Sequence, residues 1–247
     1  MELSILIIVF LIGIIASLIG AIAGGGDALI SIPALIFLGL PANVSVATNK
    51  LGGIGAATST IFAYAQAKKI VYKYVVSFTV ISAIGAGIGA NILVRINEEL
   101  LSKIIGVILL LVLPFIFIKK AGLIRKKVTK IHLTVGFILF FCIAVYGGSF
   151  SVGGGILALM ILIYMFGLTY IEANATNRIP WLAEILVSLI VFIYFGLVNY
   201  FYGIALLLGR FIGGYFGAKI AVKQGEKFVK TFFAIFVIVS AIKLLFF

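Results

Sequence analysis

Residues 24–50 read GGGDALISIPALIFLGLPANVSVATNK, and residues 153–178 read GGGILALMILIYMFGLTYIEANATNR. Each stretch opens on three glycines, Gly24-Gly25-Gly26 and Gly153-Gly154-Gly155. Each closes on Ala-Thr-Asn followed by a cation, Ala47-Thr48-Asn49-Lys50 and Ala175-Thr176-Asn177-Arg178. The quartets lie 128 residues apart, and the same offset pairs Gly39 with Gly167, Gly85 with Gly213, Gly89 with Gly217, Ala90 with Ala218 and Glu98 with Glu226. Only the span between glycines and quartet slips, by a single residue. An apolar chain matches Leu to Ile by chance; it rarely matches an Asn-cation pair at equivalent places twice. The chain is one unit written twice, and a duplicated membrane unit is the architecture in which a solute is held between two halves near the middle of the bilayer.

That the unit belongs in a membrane follows from composition. Hydrophobic residues make up 64% of the chain, charged residues 11%, and the mean hydropathy is +1.35. Too little polar surface remains to clothe a water-soluble core, so lipid is the solvent. Residues 3 to 23 lack a basic leader and run into the first glycine triplet, which fits a first spanning element better than a cleaved signal. The net charge of +12 sits mainly at segment ends, where it meets phospholipid headgroups rather than nucleic acid. The lone Cys142 excludes an intramolecular disulfide and a Cys-based metal site. His132, at a segment start beside Lys130, suits an interfacial position better than a proton shuttle.

Apolar runs and breakers predict an all-α polytopic protein of two five-element halves: 3 to 23, 28 to 40, 44 to 66, 74 to 95 and 99 to 118, then 131 to 150, 155 to 167, 172 to 195, 202 to 221 and 228 to 246. Residues 1–118 form the first repeat, 119–130 a basic linker and 131–247 the second repeat. Eight elements are long enough to span; the second of each five reaches only roughly 20 Å as helix, short of the ~30 Å hydrocarbon core. The linker carries Lys119, Lys120, Arg125, Lys126, Lys127 and Lys130 with no acid, which places it in the cytoplasm. Lysines then fall inside at 68 to 73, and the corresponding second-half loop, 196 to 203, carries none. This reversal predicts inverted repeats with both termini outside. Four crossings per half with re-entrant short elements would instead make the repeats parallel.

A glycine triplet between apolar segments breaks a helix and leaves backbone N–H groups free at the start of the next. Those amides and the positive end of the helix dipole favour an anion, in a place where protein or a wet cavity shelters the break. Close packing through small residues is the competing explanation, and it suffices for Gly85, Gly87, Gly89, Gly213 and Gly217. Each quartet adds a hydroxyl, an amide and a cation within one turn. Arg178 can present a fork to two oxygens, whereas Lys50 acts as a point charge. The plainer alternative has both cations snorkelling to an interface and Asn177 capping a helix. The expected substrate site is therefore Gly24, Gly25, Gly26, Thr48, Asn49, Lys50, Gly153, Gly154, Gly155, Thr176, Asn177 and Arg178.

Asp27 follows the first triplet where the second copy has Ile156. A carboxylate at that depth must pair, protonate or meet a cation; an ion pair with Lys50 and coupling to protons both fit. Glu184 is the other acid within a long apolar segment, with Arg210 its expected counter-ion. Glu172 and Glu226 suit solvated segment ends. Pro33, Pro41 and Pro180 mark bends or helix starts, and Trp181 fits either an interfacial anchor or a cavity wall. Nothing in the chain matches HExxH, GxSxG or a Walker loop, and no acid cluster suits a metal, so neither an enzyme nor a cofactor is expected.

The glycine block leading to Ile32-Pro33-Ala34-Leu35, then Gly39-Leu40-Pro41 and Ala47-Thr48-Asn49-Lys50-Leu51, together with Gly147-Gly148 separated by four residues from Gly153-Gly154-Gly155, resembles the TauE/SafE family. These are the sulfite exporter or TSUP permeases of bacteria and archaea. The likeness runs from the first segment to the C-terminus. It implies a multi-pass protein of a prokaryotic cell (inner) membrane that moves sulfite, organosulfonates or related small organic acids, mostly outward, by a secondary mechanism. Family members often carry a further glycine or a small residue where this chain has Asp27. The expected partners are a small anionic substrate and membrane lipid, with a homo-oligomer compatible and no nucleic acid. The alternatives are an anion channel using the same constellation as a fixed filter, and a scaffold without solute flux, which leaves buried Lys50 and Arg178 unexplained.

Overall fold

The computed structural model describes residues 3–116 and 128–224. Among them it forms nine α-helices and no strand: α1 (Leu3–Ile22), α2 (Ala28–Phe37), α3 (Ala42–Gln66), α4 (Val75–Leu93), α5 (Glu98–Ile116), α6 (Lys130–Phe150), α7 (Gly154–Phe166), α8 (Tyr170–Tyr194) and α9 (Tyr200–Gln224). The expected tenth element at 228 to 246, Glu226 and most of the basic linker lie outside the described residues. α2 and α7 are short, as the breakers predict, with 10 and 13 residues. Gly39, at φ +91°, turns the chain from α2 into Pro41. Glu172 is not merely a solvated end charge. It reaches back to the Thr169 amide while the Thr169 hydroxyl accepts from the Glu172 N–H, so the two close a capping box on α8.

Of the eight spanning helices expected, the one at 228 to 246 lies outside the described residues. Among the described residues five are long and apolar enough to cross a bilayer: α1, α4 with the 3-10 turn before it, α6, α8 and α9. α3 has the length, at 25 residues, but its first turns hold Asn43, Ser45, Thr48, Asn49 and Lys50, and they lower its apolarity. Those residues are buried or half-buried against protein rather than turned to lipid. On α4 the division is clear. Val76, Val80, Ile84, Ile88 and Ile92 form an exposed stripe at four-residue spacing, while Gly85, Ala86, Gly89 and Ala90 are buried opposite.

The two halves are interlocked by exchange of their fourth helices. α9 packs along α1 and α3, and its counterpart α4 packs along α6 and α8. The packed bodies are therefore α1-α2-α3-α9 and α4-α6-α7-α8, meeting where α3 crosses α8. Glycines make the exchange possible. A Cβ on Gly213 would stand 2.1 Å from the Ile14 carbonyl oxygen of α1, and one on Gly89 would stand 2.0 Å from that of Val145 on α6. Neither carbonyl can yield without moving its helix. Gly213→Ala and Gly89→Ala are expected to lower stability by about 1–3 kcal/mol or more, read as melting temperature in detergent. Gly87→Ala is the control, since its Cβ would meet only Val187 Cγ1 at 3.6 Å and should be tolerated.

Candidate functional site

The two glycine triplets meet. Gly25, at φ +129°, passes so close to the start of α7 that a Cβ on it would lie 2.8 Å from Gly155 Cα. Seen from the other side, a Cβ on Gly155 would lie 3.1 Å from Gly25 Cα. The breaks thus cross backbone to backbone at the centre of the molecule. The second break keeps room beside it. Gly153 takes a left-handed conformation (φ 74°) as the residue before α7 and offers no side chain to cap it. The Ile156 N–H already donates to the Gly153 carbonyl, while the Gly154 and Gly155 amides before it have no acceptor inside the helix. Gly154 and Gly155 line a cavity of about 20 Å³, whose other polar walls are Ser82, Ser151, Asn177, Trp181 and Glu184. That is room for a water-sized group.

Of the twelve residues expected to bind substrate, Gly154, Gly155 and Asn177 reach this cavity. Asn177 is 8% exposed, and among the described residues its side chain has no hydrogen-bond partner. The side-chain oxygen of its repeat counterpart is engaged twice: Asn49 Oδ1 accepts from Ser31 Oγ at 2.7 Å and from Arg210 Nη2. The threonine oxygens take part in the helix exchange. Thr48 Oγ1 accepts from the Asn199 amide and Thr176 Oγ1 from the Val71 amide, each at 3.0 Å. Val71 and Asn199 are 128 residues apart, so the same staple ties each third helix to the incoming fourth helix of the other half.

The ion pairs expected between Glu184 and Arg210, and between Asp27 and Lys50, are exchanged. Lys50 Nζ donates to Glu184 Oε1 and to the Gly147 carbonyl, both at 2.8 Å. Arg210 Nη1 lies 3.2 Å from Asp27 Oδ2 and donates to the Asn49 carbonyl at 3.1 Å. The reason is the fold. α9 joins the first-half body, which carries Arg210 to the first break, while the crossing of α3 over α8 sets Lys50 against Glu184. Both cations are buried, Lys50 at 1% and Arg210 at 0% exposure, so neither snorkels. In hydrocarbon such charges persist only when paired.

Arg178 is placed differently. Its Nε donates to Asn174 Oδ1 at 3.1 Å, and its guanidinium lies over the Trp181 ring, 5.3 Å from the centroid. No carboxylate pairs with it among the described residues. Asn174 in turn donates to the Ala21 carbonyl at 2.9 Å and to the Tyr64 hydroxyl at 3.0 Å. These contacts orient Arg178 beside the C-terminal end of α1, with Trp181 between it and the cavity. Ser31, Ser82, Asn174 and Tyr64 escaped sequence analysis. Only Asn174 left a trace there, standing four residues before Arg178 on the same helical face.

Residues 9–244 match the protein family described as "Sulfite exporter TauE/SafE". Among curated proteins, the chain is 28% identical to a "Probable membrane transporter protein ORF9" of a Sinorhizobium species over 96% of this chain and 90% of the relative. It is 26% identical to a "Probable membrane transporter protein" of Haemophilus influenzae over 92% and 89%. The identity is again 26% to "Probable membrane transporter protein YunE" of Bacillus subtilis, over 97% of both chains. No solved structure matches the chain.

Proposed function

We propose that this chain, which belongs to the sulfite exporter TauE/SafE family of membrane transporters, is a secondary transporter that carries a small sulfur-containing anion, sulfite or an organosulfonate, out of a prokaryotic cell by alternating access. The observation that carries the proposal is the cavity at the second break. There the unpartnered, nine-tenths-buried Asn177 stands beside the Gly154 and Gly155 amides at the positive end of α7. Amide donors and a helix N-terminus suit sulfonyl oxygens. Arg178, one residue on and without a carboxylate of its own among the described residues, supplies the charge once Trp181 turns aside.

The bodies that move are the packed ones rather than the sequence repeats, because separating the repeats would pull α4 off α6 and α8, and α9 off α1 and α3. Lys50–Glu184 bridges the two bodies and is the latch that must open. The exchange of equivalent helices supports a two-fold relation between the halves, and the reversal of loop charge between 68 to 73 and 196 to 203 favours an axis in the membrane plane.

The test is counterflow of labelled sulfite and of a labelled organosulfonate in proteoliposomes. Losing a charge-assisted hydrogen bond worth roughly 1.5–3 kcal/mol weakens binding by about 10- to 100-fold. Asn177→Ala and Arg178→Ala are expected to lose flux on that scale at limiting substrate, while Thr58→Ala, remote on α3, retains it. Full flux in both site variants would remove the proposed site.

A further inference from the structure

The cavity at the second break has a twin at the first break, and the twin is filled by the chain itself. The repeat places Arg210 at the position of Ser82, Asn49 at that of Asn177, Gly53 at that of Trp181 and Asp27 at that of Ile156. In the second-half body, Ser82, Asn177 and Trp181 wall the cavity. In the first-half body, the Arg210 side chain runs over Gly52 and Gly53, through the space that Trp181 and the cavity take in the other half. Its guanidinium meets Asn49 and Asp27. Asp27 stands at the positive N-terminal end of α2 beside that cation, where an anion would stand, although its carboxylate takes no hydrogen bond from the α2 amides.

We propose that Asp27 is a tethered ligand, a carboxylate that permanently occupies the first half's copy of the anion site, so that each chain carries one exchangeable site instead of two. Two features beyond the helix terminus point there. Arg210 is fully buried, and its Nε–H has no acceptor, so the guanidinium keeps donor capacity that a tethered carboxylate does not use. Asp27 Oδ2, the oxygen facing Arg210, accepts no hydrogen bond of its own. A free oxyanion, unconstrained by a Cβ, could align with both nitrogens of the fork. The count of one exchangeable site rests on the cavity as the transport site; the role of Asp27 does not.

Removing the Asp27 carboxylate should open the twin to a molecule of matching size. Asp27 has αR backbone angles (φ −55°, ψ −35°), which Ala adopts without strain, and the group deleted is the size of formate. The purified Asp27→Ala protein is melted in sodium formate and in sodium chloride of equal ionic strength. Formate is expected to raise its melting temperature progressively with the logarithm of concentration, as linkage to a native-state site requires. Wild type and the double variant Asp27→Ala/Arg210→Met should show no formate-specific rise.

If Asp27→Ala yields no folded protein in chloride, the same comparison is read as monodisperse recovery after extraction in formate or chloride, with Asp27→Ser as a second variant. Recovery in formate alone supports the proposal. Equal behaviour in the two salts, or an equal formate response in the double variant, overturns it. Sodium sulfite added to wild type tests the cavity separately. Stabilisation by sulfite without a formate response in Asp27→Ala removes the tethered ligand and leaves the transport site. A formate response without sulfite stabilisation of wild type removes the transport site, and with it the count of one.

Discussion

Lys50→Met should cost the folded protein about 3–5 kcal/mol, the range for removing one partner of a buried ion pair, and Glu184→Gln should cost a comparable amount. The lost attraction is only part of the reason. Each truncation leaves the other charge buried without its counter-ion, since Lys50 and Glu184 are 1% and 8% exposed. Lys50→Met/Glu184→Gln removes both charges together and should be more stable than either single variant. That non-additivity is the diagnostic, readable by a double-mutant cycle on melting or denaturant unfolding in detergent. Additive losses would mean that the 2.8 Å contact carries no coupling. The double variant also bears on mechanism, because this pair joins the two packed bodies where α3 crosses α8. A loosened latch should raise basal leak of anion relative to wild type.

Gly25→Ala is expected to be the most damaging single methyl that can be added at the glycine triplets. At φ +129° a side chain pays a backbone penalty of about 1–3 kcal/mol, and the new Cβ would also press 2.8 Å from Gly155 Cα and 2.9 Å from its carbonyl carbon. Backbone cannot swing away as a side-chain tip can, so the two breaks would be forced apart. Gly155→Ala meets the same crossing more gently, with its nearest contact at 3.1 Å and no positive φ. The predicted order is a loss of roughly 3 kcal/mol or more for Gly25→Ala, and a clearly smaller loss for Gly155→Ala, which should still reduce transport because its Cβ stands at the cavity wall. Equal melting temperatures for the two variants would contradict the crossing.

Much of this was legible in the residues. The repeated glycines and quartets announced a duplicated unit, the length of the apolar runs announced the short α2 and α7, and the depth of Asp27, Glu184 and Arg210 announced that they must pair. The partners were not legible. The sequence suggested Asp27 with Lys50 and Glu184 with Arg210, and the partners are exchanged because α9 joins the first-half body and α3 crosses α8. Thr48 and Thr176 were recognised as equivalent residues, but nothing in their place in the sequence tells that each hydroxyl oxygen accepts from an amide ahead of an incoming helix. Of the eight helices expected to span, five have the length and apolarity among the described residues. Length alone does not distinguish α3, whose polar first turns are sheltered by neighbours, from helices that meet lipid.

The sequence by itself determined that the chain is a twofold repeat of helices interrupted at glycines, because periodicity, helix breaking and the cost of charge in hydrocarbon are local properties of the residues. Tertiary structure alone decided that the repeats trade their fourth helices. From that exchange it decided that Lys50 latches the two bodies together, that Arg210 closes on Asp27 at one break, and that Asn177 is left facing a cavity at the other. These outcomes depend on which helix backbones can approach within a glycine's width, a property of facing surfaces that no single segment carries.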